Sequence, residues 1–375
     1  MSAPLIATND FVRQWADVGT AVLEAVNRVG ESGWYILGPE VANFERAIAV
    51  HTRREFAIGC GSGLDAIEIS LRCLDLQPGQ KVLTTALSAF ATTLAIIRAS
   101  GRPVFVDVDA TGSIDLERCV HLLERDPSIR FFVPVHLFGH PCNLDQLREL
   151  KSRFQLRVVE DCAQAIGAQF GNQAVGSVGD LSALSFYPTK NLGAVGDGGA
   201  ILTDHPSYAE RARALRDYGQ TAKYVHDLVG LNSRLDELHA AILGRALLPK
   251  LANWAQRREK IAQQYIQEIR NPLVQIVLPP PHSRPAWHLF ATLIDPNRRD
   301  NFCAYLKASG VGTGIHYPKI IPRQKALSDS SLCEVHGELT RAEAFAAGEV
   351  SLPIHPYLRD DEVATIVKTV NAWRG

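Results

Sequence analysis

The chain has 375 residues, of which 46% are hydrophobic and 21% are charged, and its formal net charge is −1. This composition excludes a disordered or fibrous protein, and the length suffices for one large and one smaller domain with a substantial core. The charge near zero and the lack of a long basic block argue against nucleic acid as a partner.

The seven cysteines are scattered and include no CxxC pair. This pattern indicates free thiols in a reducing compartment and argues against a zinc site, and we expect no metal site. The first residues contain no basic segment followed by a long apolar stretch, and nowhere do about eighteen apolar residues follow one another. We therefore expect a cytoplasmic protein that does not cross a membrane.

Two helices are predicted before the first strand. Residues 11–28 have apolar side chains at helical spacing, and a second helix occupies the 40s after a turn. Trp34 and Tyr35 lie between the two helices, and we expect both side chains to pack against the main body.

From residue 56 the sequence alternates between strand and helix patterns. Residues 56–63 predict a short strand that runs into a glycine turn, and an amphipathic helix follows directly. Backbone N–H groups at such a helix start form a phosphate site, which makes Ser62, Gly63 and Leu64 candidates for one. The repeated units predict an α/β fold with a mostly parallel sheet, helices on both faces, and ligands beyond the carboxyl ends of the strands.

Asp161 ends one predicted strand, and Lys190 lies on a tight connection between two later strands. A lysine attacks carbonyl groups only when it can lose its proton, which requires a crowded and partly desolvated position. Most loop lysines are instead solvated. Because a lysine and an aspartate are the two protein groups that pyridoxal phosphate chemistry needs most, the pair indicates that cofactor.

The last third of the chain changes in character. Asn232 and Ser233 stand just before a long predicted helix and are candidates to cap it. Pro249 interrupts that helix, and short strands then alternate with further helices, among them one over residues 339–350. We therefore predict a large α/β domain, residues 1–248, and a smaller α+β domain, residues 249–375.

Three blocks of the sequence resemble the DegT/DnrJ/EryC1/StrS family of pyridoxal phosphate-dependent sugar aminotransferases. These blocks are VVEDCAQAIGA, GSVGDLSALSFYPTKNLGAVGDGGA and GLNSRLDELHAAIL. The likeness extends from SGWYILGPEV to SLPIHP and covers nearly the whole chain. It implies the type I aminotransferase fold, and transfer of an amino group from an amino acid, usually glutamate, to a keto-sugar on a nucleotide diphosphate.

The resemblance also implies roles for individual residues. Lys190 would bind the cofactor covalently, Asp161 would keep its pyridine nitrogen protonated, and Gln164 would hydrogen-bond its ring hydroxyl. The phosphate would be held by Ser62, Gly63, the backbone of Leu64, Ser185 and, across a homodimer interface with shared active sites, Asn232 of the partner subunit.

Further candidates come from the same resemblance. The family places an aromatic ring beside the cofactor near position 89, and here the aromatic residue is Phe90, which is either that ring or part of the core. Residues 312–318 match a segment of the small domain that borders the active site. His316 and Tyr317 are therefore candidate neighbours of the substrate, and Tyr35 is a further one.

The sequence KNLGAVGDGG, which starts at Lys190, is in the style of relatives that aminate carbon 3 of a 6-deoxy-keto-sugar, with thymidine diphosphate as the expected nucleotide. Amination of carbon 4 is the alternative. A sugar dehydratase of this family would have histidine in place of Lys190. A non-catalytic regulatory protein on the same fold is a different class of alternative, and the presence of both Lys190 and Asp161 weighs against it.

Overall fold

The computed structural model of the protein describes residues 5–329 and 331–375. Its α-helices are α1 (Phe11–Ser32), α2 (Pro39–Thr52), α3 (Gly63–Cys73), α4 (Phe90–Arg98), α5 (Leu116–Arg125), α6 (Leu144–Arg153), α7 (Pro206–Arg216), α8 (Glu237–Ala241), α9 (Leu251–Glu268), α10 (Arg299–Ala308), α11 (Thr340–Gly348) and α12 (Asp360–Ala372). Its strands are β1 (Phe56–Cys60), β2 (Lys81–Thr85), β3 (Arg102–Val106), β4 (Phe131–Val133), β5 (Arg157–Asp161), β6 (Gln169–Phe170), β7 (Gln173–Ala174), β8 (Leu181–Ser185), β9 (Gly199–Thr203), β10 (Gln220–Ala222), β11 (Val225–His226), β12 (Gln275–Ile276), β13 (Ser283–Arg284), β14 (Phe290–Leu293), β15 (Glu334–Val335) and β16 (Glu349–Leu352).

An eight-stranded sheet with the order β1-β9-β8-β5-β4-β2-β3-β15 forms the centre of the molecule. All neighbours from β8 to β15 run parallel, and only β9 runs antiparallel to the strands on either side of it. Successive residues of a strand point to opposite faces. Val158 of β5 accordingly packs with α5 and α6, and Val159 packs with α3, α4 and α7. The predicted α/β fold is confirmed.

This topology brings separate parts of the sequence to one edge of the sheet. Cys60 at the end of β1 and Ser185 at the end of β8 both pair with Gly199, the first residue of β9. Asp161 ends β5, the parallel neighbour of β8. The helix start at Gly63, the carboxyl group of Asp161 and the connection that carries Lys190 therefore meet at the carboxyl ends of the parallel strands.

The carboxyl-terminal part contains a second, antiparallel sheet with the order β12-β14-β16. This sheet packs with α9, α10 and α12 around an apolar core of its own. The same part of the chain also donates β15 to the edge of the main sheet, beside β3. Residues Ile242–Leu247 form a π-helical turn and Leu248–Lys250 a 3-10 turn, so helical structure continues through Pro249 into α9. A domain boundary at residue 249 stays a prediction.

Two local expectations were wrong. The helix predicted over residues 339–350 ends at Gly348, and Glu349 begins strand β16. Trp34 and Tyr35 do not pack against the body, since they are 58% and 51% exposed. Their turn is instead held by the backbone, where the carbonyl of Tyr35 accepts a hydrogen bond from the Glu237 N–H at 3.0 Å. Among the helices in the described ranges, none is both long and apolar enough to cross a membrane.

Candidate active site

A cavity of about 240 Å³ opens at the carboxyl ends of β1, β5 and β8. Seven of the residues predicted from the sequence line it: Ser62, Gly63, Leu64, Asp161, Gln164, Ser185 and Lys190. The fold thus collects these side chains from three separate segments of the chain.

Lys190 lies on the connection between β8 and β9, where its backbone N–H donates to the carbonyl of Tyr187 at 2.8 Å and fixes the turn. Burial of the ammonium group lowers the pKa of Lys190 to about 8, although the nearby carboxylate of Asp161 acts in the opposite direction. At pH 7 roughly one molecule in ten then holds a neutral amine at this position, compared with about one in 3,000 for an ordinary lysine. The predicted desolvated position is therefore present.

Hydrogen bonds hold the carboxylate of Asp161 on both of its oxygens. Oδ2 accepts from the hydroxyl of Thr92 at 2.7 Å, and Oδ1 accepts from the backbone N–H of Ala163 at 3.1 Å. The Thr92 hydroxyl also lies 3.1 Å from the hydroxyl of Ser88. Thr92 was missed from the sequence. Only its place in the first turn of α4, a helix that starts at the ligand edge, was available as a signal.

The start of α3 provides a cradle for an anion. Ser62 is the N-cap residue, and its hydroxyl accepts from the N–H of Asp65 at 3.1 Å. The first N–H groups of a helix have no acceptor within it and stand at its positive end, which favours a phosphate. Gly63 is required here, because a Cβ atom at this position would lie 2.7 Å from Cβ of Ser185.

Gln164 lines the cavity, and Tyr317 contacts Gln164 from outside the cavity lining. Oε1 of Gln164 accepts from the N–H of Phe138 at 2.6 Å, and Nε2 donates to the hydroxyl of Tyr317 at 3.2 Å. Burial raises the pKa of Tyr317 to about 12. Burial and the positive charge of Lys190 lower the pKa of His316 to about 4. His316 therefore senses the charge of Lys190, and Tyr317 senses that of Asp161, although neither residue lines the cavity.

The structure does not place Phe90 over the cavity. Its ring packs against an apolar cluster that includes Leu87 and Phe105, whereas Ala89 lines the cavity. The reason is the helix: Phe90 is the first residue of α4 and faces the core beside the small domain. Of its two candidate roles, the core role fits the structure. Tyr35 also lies away from the residues that line this cavity, in an exposed turn.

Asn232 does not cap a helix. Helix α8 begins at Glu237 and is capped by Asp236, whose Oδ1 accepts from the N–H of His239 at 2.7 Å. Asn232 is exposed and lies outside the cavity lining of its own chain. The neighbouring Ser233 is tied to the anion cradle, because its hydroxyl accepts from the N–H of Gly61 at 3.0 Å and donates to Asp65 at 2.9 Å.

A buried cluster of His136, Glu160 and Cys162 lies behind Asp161, with its possible ligand atoms within 4.8 Å of one another. Nε2 of His136 lies 2.9 Å from the Glu160 carboxylate. That carboxylate also accepts hydrogen bonds from the backbone N–H groups of Gly176, Val178 and Gly179. These groups thus serve as a hydrogen-bond network that holds the 176–179 loop, and the expectation that no metal binds stays a prediction.

Comparison with known proteins decides the family. Residues 17–371 match the DegT/DnrJ/EryC1/StrS aminotransferase family. The chain belongs to this family. The predicted family, fold class and enzyme class are confirmed: this member of the DegT/DnrJ/EryC1/StrS family is a pyridoxal phosphate-dependent aminotransferase.

Individual relatives match along almost the whole chain. The dTDP-3-amino-3,4,6-trideoxy-alpha-D-glucose transaminase of Streptomyces venezuelae is 39% identical over 375 residues, which cover 99% of this chain and 96% of that protein. A pleiotropic regulatory protein of Geobacillus stearothermophilus is 36% identical over 373 residues, which cover 99% and 98%. The crystal structure of S. venezuelae DesV in complex with a ketimine intermediate matches with a TM-score of 0.93 at 37% identity and covers 99% of each chain.

The site of this family member fits the cofactor on its own geometry. Lys190 has a lowered pKa, Asp161 carries a fixed carboxylate, and the glycine at position 63 leaves the start of α3 open where a Cβ atom would fill the space. Together these features provide an amine for covalent attachment, an anion for a pyridinium nitrogen and N–H donors for a phosphate.

Proposed function

We propose that this aminotransferase moves an amino group from an amino acid, with L-glutamate as the expected donor, to a dTDP-linked 3-keto-6-deoxyhexose and so produces a 3-amino sugar. The observation that carries the proposal is the amine of Lys190, with a pKa lowered to about 8, beside Asp161 in a cavity closed by the start of α3.

When bound, pyridoxal phosphate supplies an electron sink for the carbanion that forms when the amino-bearing carbon loses its proton. Asp161 would hold the proton on the pyridine nitrogen, and the bonds from Thr92 and Ala163 keep its carboxylate in place for this task. Lys190 would hold the cofactor through Nζ. The free Nζ would also move a proton to and from carbon, which requires the neutral amine that burial favours.

The other predicted residues would make non-covalent contacts with the cofactor. The N–H groups of Gly63 and Leu64 and the hydroxyls of Ser62 and Ser185 are assigned to the phosphate, because all four residues line the cavity at the helix start. The amide of Gln164 also lines the cavity, and its Nε2 can exchange the bond to Tyr317 for one to the ring hydroxyl.

The loop after Lys190 supports the choice of sugar carbon. Asn191 is buried, its Nδ2 donates to the carbonyl of Ala286 at 2.7 Å, and its Oδ1 lies 3.3 Å from Nδ1 of His288. The loop is thus anchored to a distant segment and limits which carbon of the sugar reaches the amine. The name of the 39% identical transaminase from S. venezuelae supports both carbon 3 and thymidine diphosphate.

The test is to give the holoenzyme glutamate and, in separate reactions, dTDP-linked 3-keto and 4-keto 6-deoxyhexoses, and to identify products by mass spectrometry and NMR. We expect the 3-amino sugar, and no turnover by Lys190→Ala. Amination of the 4-keto sugar alone would contradict carbon 3 and leave the aminotransferase in place. Failure of glutamate, and of every other amino acid tried, to convert the cofactor would favour the regulatory alternative.

We further propose a homodimer with shared active sites. Several large apolar side chains of α1, the turn after it and the loop after Lys190 are about half exposed, which suits a surface covered by a second copy. They are Phe11, Trp15, Trp34, Tyr35 and Val195. Some of them border an apolar cavity of about 220 Å³ next to Pro188, two residues from Lys190. The exposed Asn232 is then free to reach the partner's phosphate cradle. A cytoplasmic location and the absence of nucleic acid partners stay predictions.

Subunit mixing tests the shared site. We expect Asn232→Ala and Lys190→Ala homodimers to have low activity, and a re-equilibrated one-to-one mixture to recover about a quarter of wild-type activity, since half the dimers are hybrids with one complete site. Ser233→Ala in place of Asn232→Ala is the matched control that should not complement in this way, because Ser233 bonds to its own chain. A fully active monomer in sedimentation would contradict the proposal.

A further inference from the structure

Strand β16 carries a buried carboxyl group that the chemistry above does not use. Glu349 and Ser351 point to one face of the strand, while Val350 and Leu352 point to the other and pack in the core of the small domain. Glu349 is fully buried and Ser351 is 2% exposed. Residues 314–316 lie beside this part of the strand. Gly314 and Ser351 exchange two backbone hydrogen bonds.

A continuous chain of hydrogen bonds joins Glu349 to the ring of His316. Oε2 of Glu349 accepts from the backbone N–H of His316 at 2.5 Å, and Oε1 accepts from the hydroxyl of Ser351 at 2.5 Å. The same hydroxyl lies 2.9 Å from Nδ1 of His316. Among the residues of the described ranges, none forms a hydrogen bond with the other ring nitrogen, Nε2.

The charge of Glu349 decides which group donates in the hydrogen bonds of the Ser351 hydroxyl. The backbone N–H of His316 always donates, so Oε2 always accepts, and only Oε1 is free to carry a proton. With Glu349 ionised, Ser351 donates to Oε1 and accepts from Nδ1–H, which leaves Nε2 without a proton. With Glu349 protonated, Oε1 donates to Ser351, Ser351 donates to Nδ1, and the ring proton lies on Nε2.

We propose that Glu349 and Ser351 are positioning residues that set the tautomer of His316 and so decide whether Nε2 donates or accepts a hydrogen bond at the active site. The contact between Nε2 and the sugar substrate rests on the proposed function. The coupling of Glu349 to the His316 ring is independent of that function. On protonation the Ser351 proton moves to Oε1, the Nδ1 proton moves to Ser351 and one proton from solvent binds Nε2. The ring therefore stays neutral, and the one proton gained resides on Glu349.

The surroundings of Glu349 and His316 favour a change of the His316 tautomer near neutral pH. Burial raises the pKa of Glu349 to about 8, against the hydrogen bonds from His316 and Ser351 and the positive charge of Arg299 on α10. Cys303 on the same helix and the phenol of Tyr317 also sense the Glu349 charge. The pKa of His316 is lowered to about 4 by burial and by Lys190. The ring therefore stays neutral while Glu349 titrates.

Nitrogen NMR of the holoenzyme tests the proposal directly. The protein is labelled with ¹⁵N-histidine, and His316→Gln identifies the His316 signals among those of the twelve histidines. We expect Nε2 to carry the proton at pH 6 and to lose it to Nδ1 with a midpoint near pH 8. A His316 tautomer that stays the same from pH 6 to pH 10 would overturn the proposal.

Two variants separate the relay from a merely structural contact. In Glu349→Gln the amide oxygen must face the N–H of His316, so the amide N–H₂ faces Ser351 and holds the proton on Nε2 at every pH. In Ser351→Ala the link is broken, and the ring should no longer follow a midpoint near pH 8. Glu343→Gln, on the exposed face of α11, is the matched control and should titrate as wild type. A His316 tautomer that changes with pH in Glu349→Gln as it does in the wild type would contradict the proposal.

A kinetic measurement then tests the step that depends on the proposed function. If Nε2 meets the sugar, the pH profile of kcat/KM for the keto-sugar should depend near pH 8 on two groups, Glu349 and Lys190, in the wild type and on Lys190 alone in Glu349→Gln. The half-reaction with glutamate should be unchanged. The NMR result stands whether or not this chain acts on nucleotide sugars, so failure of the proposed function and failure of the relay are distinguishable.

Discussion

Replacing Asp161 by asparagine should change two properties of the site in opposite directions. The amide keeps the shape of the side chain, and its oxygen can still accept from Thr92, but the negative charge is lost. That charge acts to raise the pKa of Lys190, which burial lowers to about 8. Without it the pKa falls further, so the neutral fraction at pH 7 rises from roughly a tenth toward all molecules, an increase of at most about tenfold.

Turnover should fall in the same variant. Without an anion beside the pyridine nitrogen the cofactor loses its positive charge and becomes a weaker electron sink. Loss of one preorganised electrostatic contact of this kind costs about 10²- to 10³-fold in rate. The prediction is therefore a more reactive lysine in a less active enzyme.

Both quantities can be measured on one preparation. Trace acetylation of the cofactor-free protein at a series of pH values, followed by mass spectrometry of the peptide that contains Lys190, gives the pKa of the amine. The half-reaction of the holoenzyme with glutamate gives the rate. Asp145→Asn is the control, since Asp145 is exposed and bonds to Gln173 outside the cavity.

The reasoning fails on either of two results. A wild-type midpoint near 10.5 would show that the Lys190 ammonium is not desolvated. Near-normal turnover in Asp161→Asn would remove Asp161 from the chemistry.

Three further outcomes are expected. Gly63→Ala should weaken cofactor binding by about 1–3 kcal/mol because the new methyl group would lie 2.7 Å from Ser185, whereas Gly30→Ala, with no atom within 4 Å, should leave the dissociation constant unchanged. Lys190→Ala should bind the cofactor without the covalent adduct that borohydride traps in the wild type, and an adduct on another lysine would contradict its role. For Glu349 the folded-state pKa of about 8 lies above the ordinary 4.5, so its contribution to the free energy of unfolding is full below pH 4.5 and is lost as the pH rises through 8. Denaturant titrations should show this decline in the wild type and not in Glu349→Gln.

The sequence by itself determined the scaffold of the site. Periodicity of 2 and of 3.6 residues marks the strands and helices, and parallel strands that alternate with helices end at one edge. Asp161 at a strand end and the turn of Ser62 and Gly63 were therefore predictable as neighbours from local pattern and one rule of topology. Lys190 was paired with Asp161 through the chemistry of the cofactor.

Only the tertiary structure decided which side chains complete the site. Phe90 follows the cavity-lining Ala89 in sequence but packs in the core. Thr92, two residues later, donates a hydrogen bond to Asp161. Glu349 was predicted to lie in the last turn of a helix, yet it starts a strand and bonds to His316. These outcomes depend on the direction of a side chain and on contacts between segments many residues apart, and local periodicity contains no information about either.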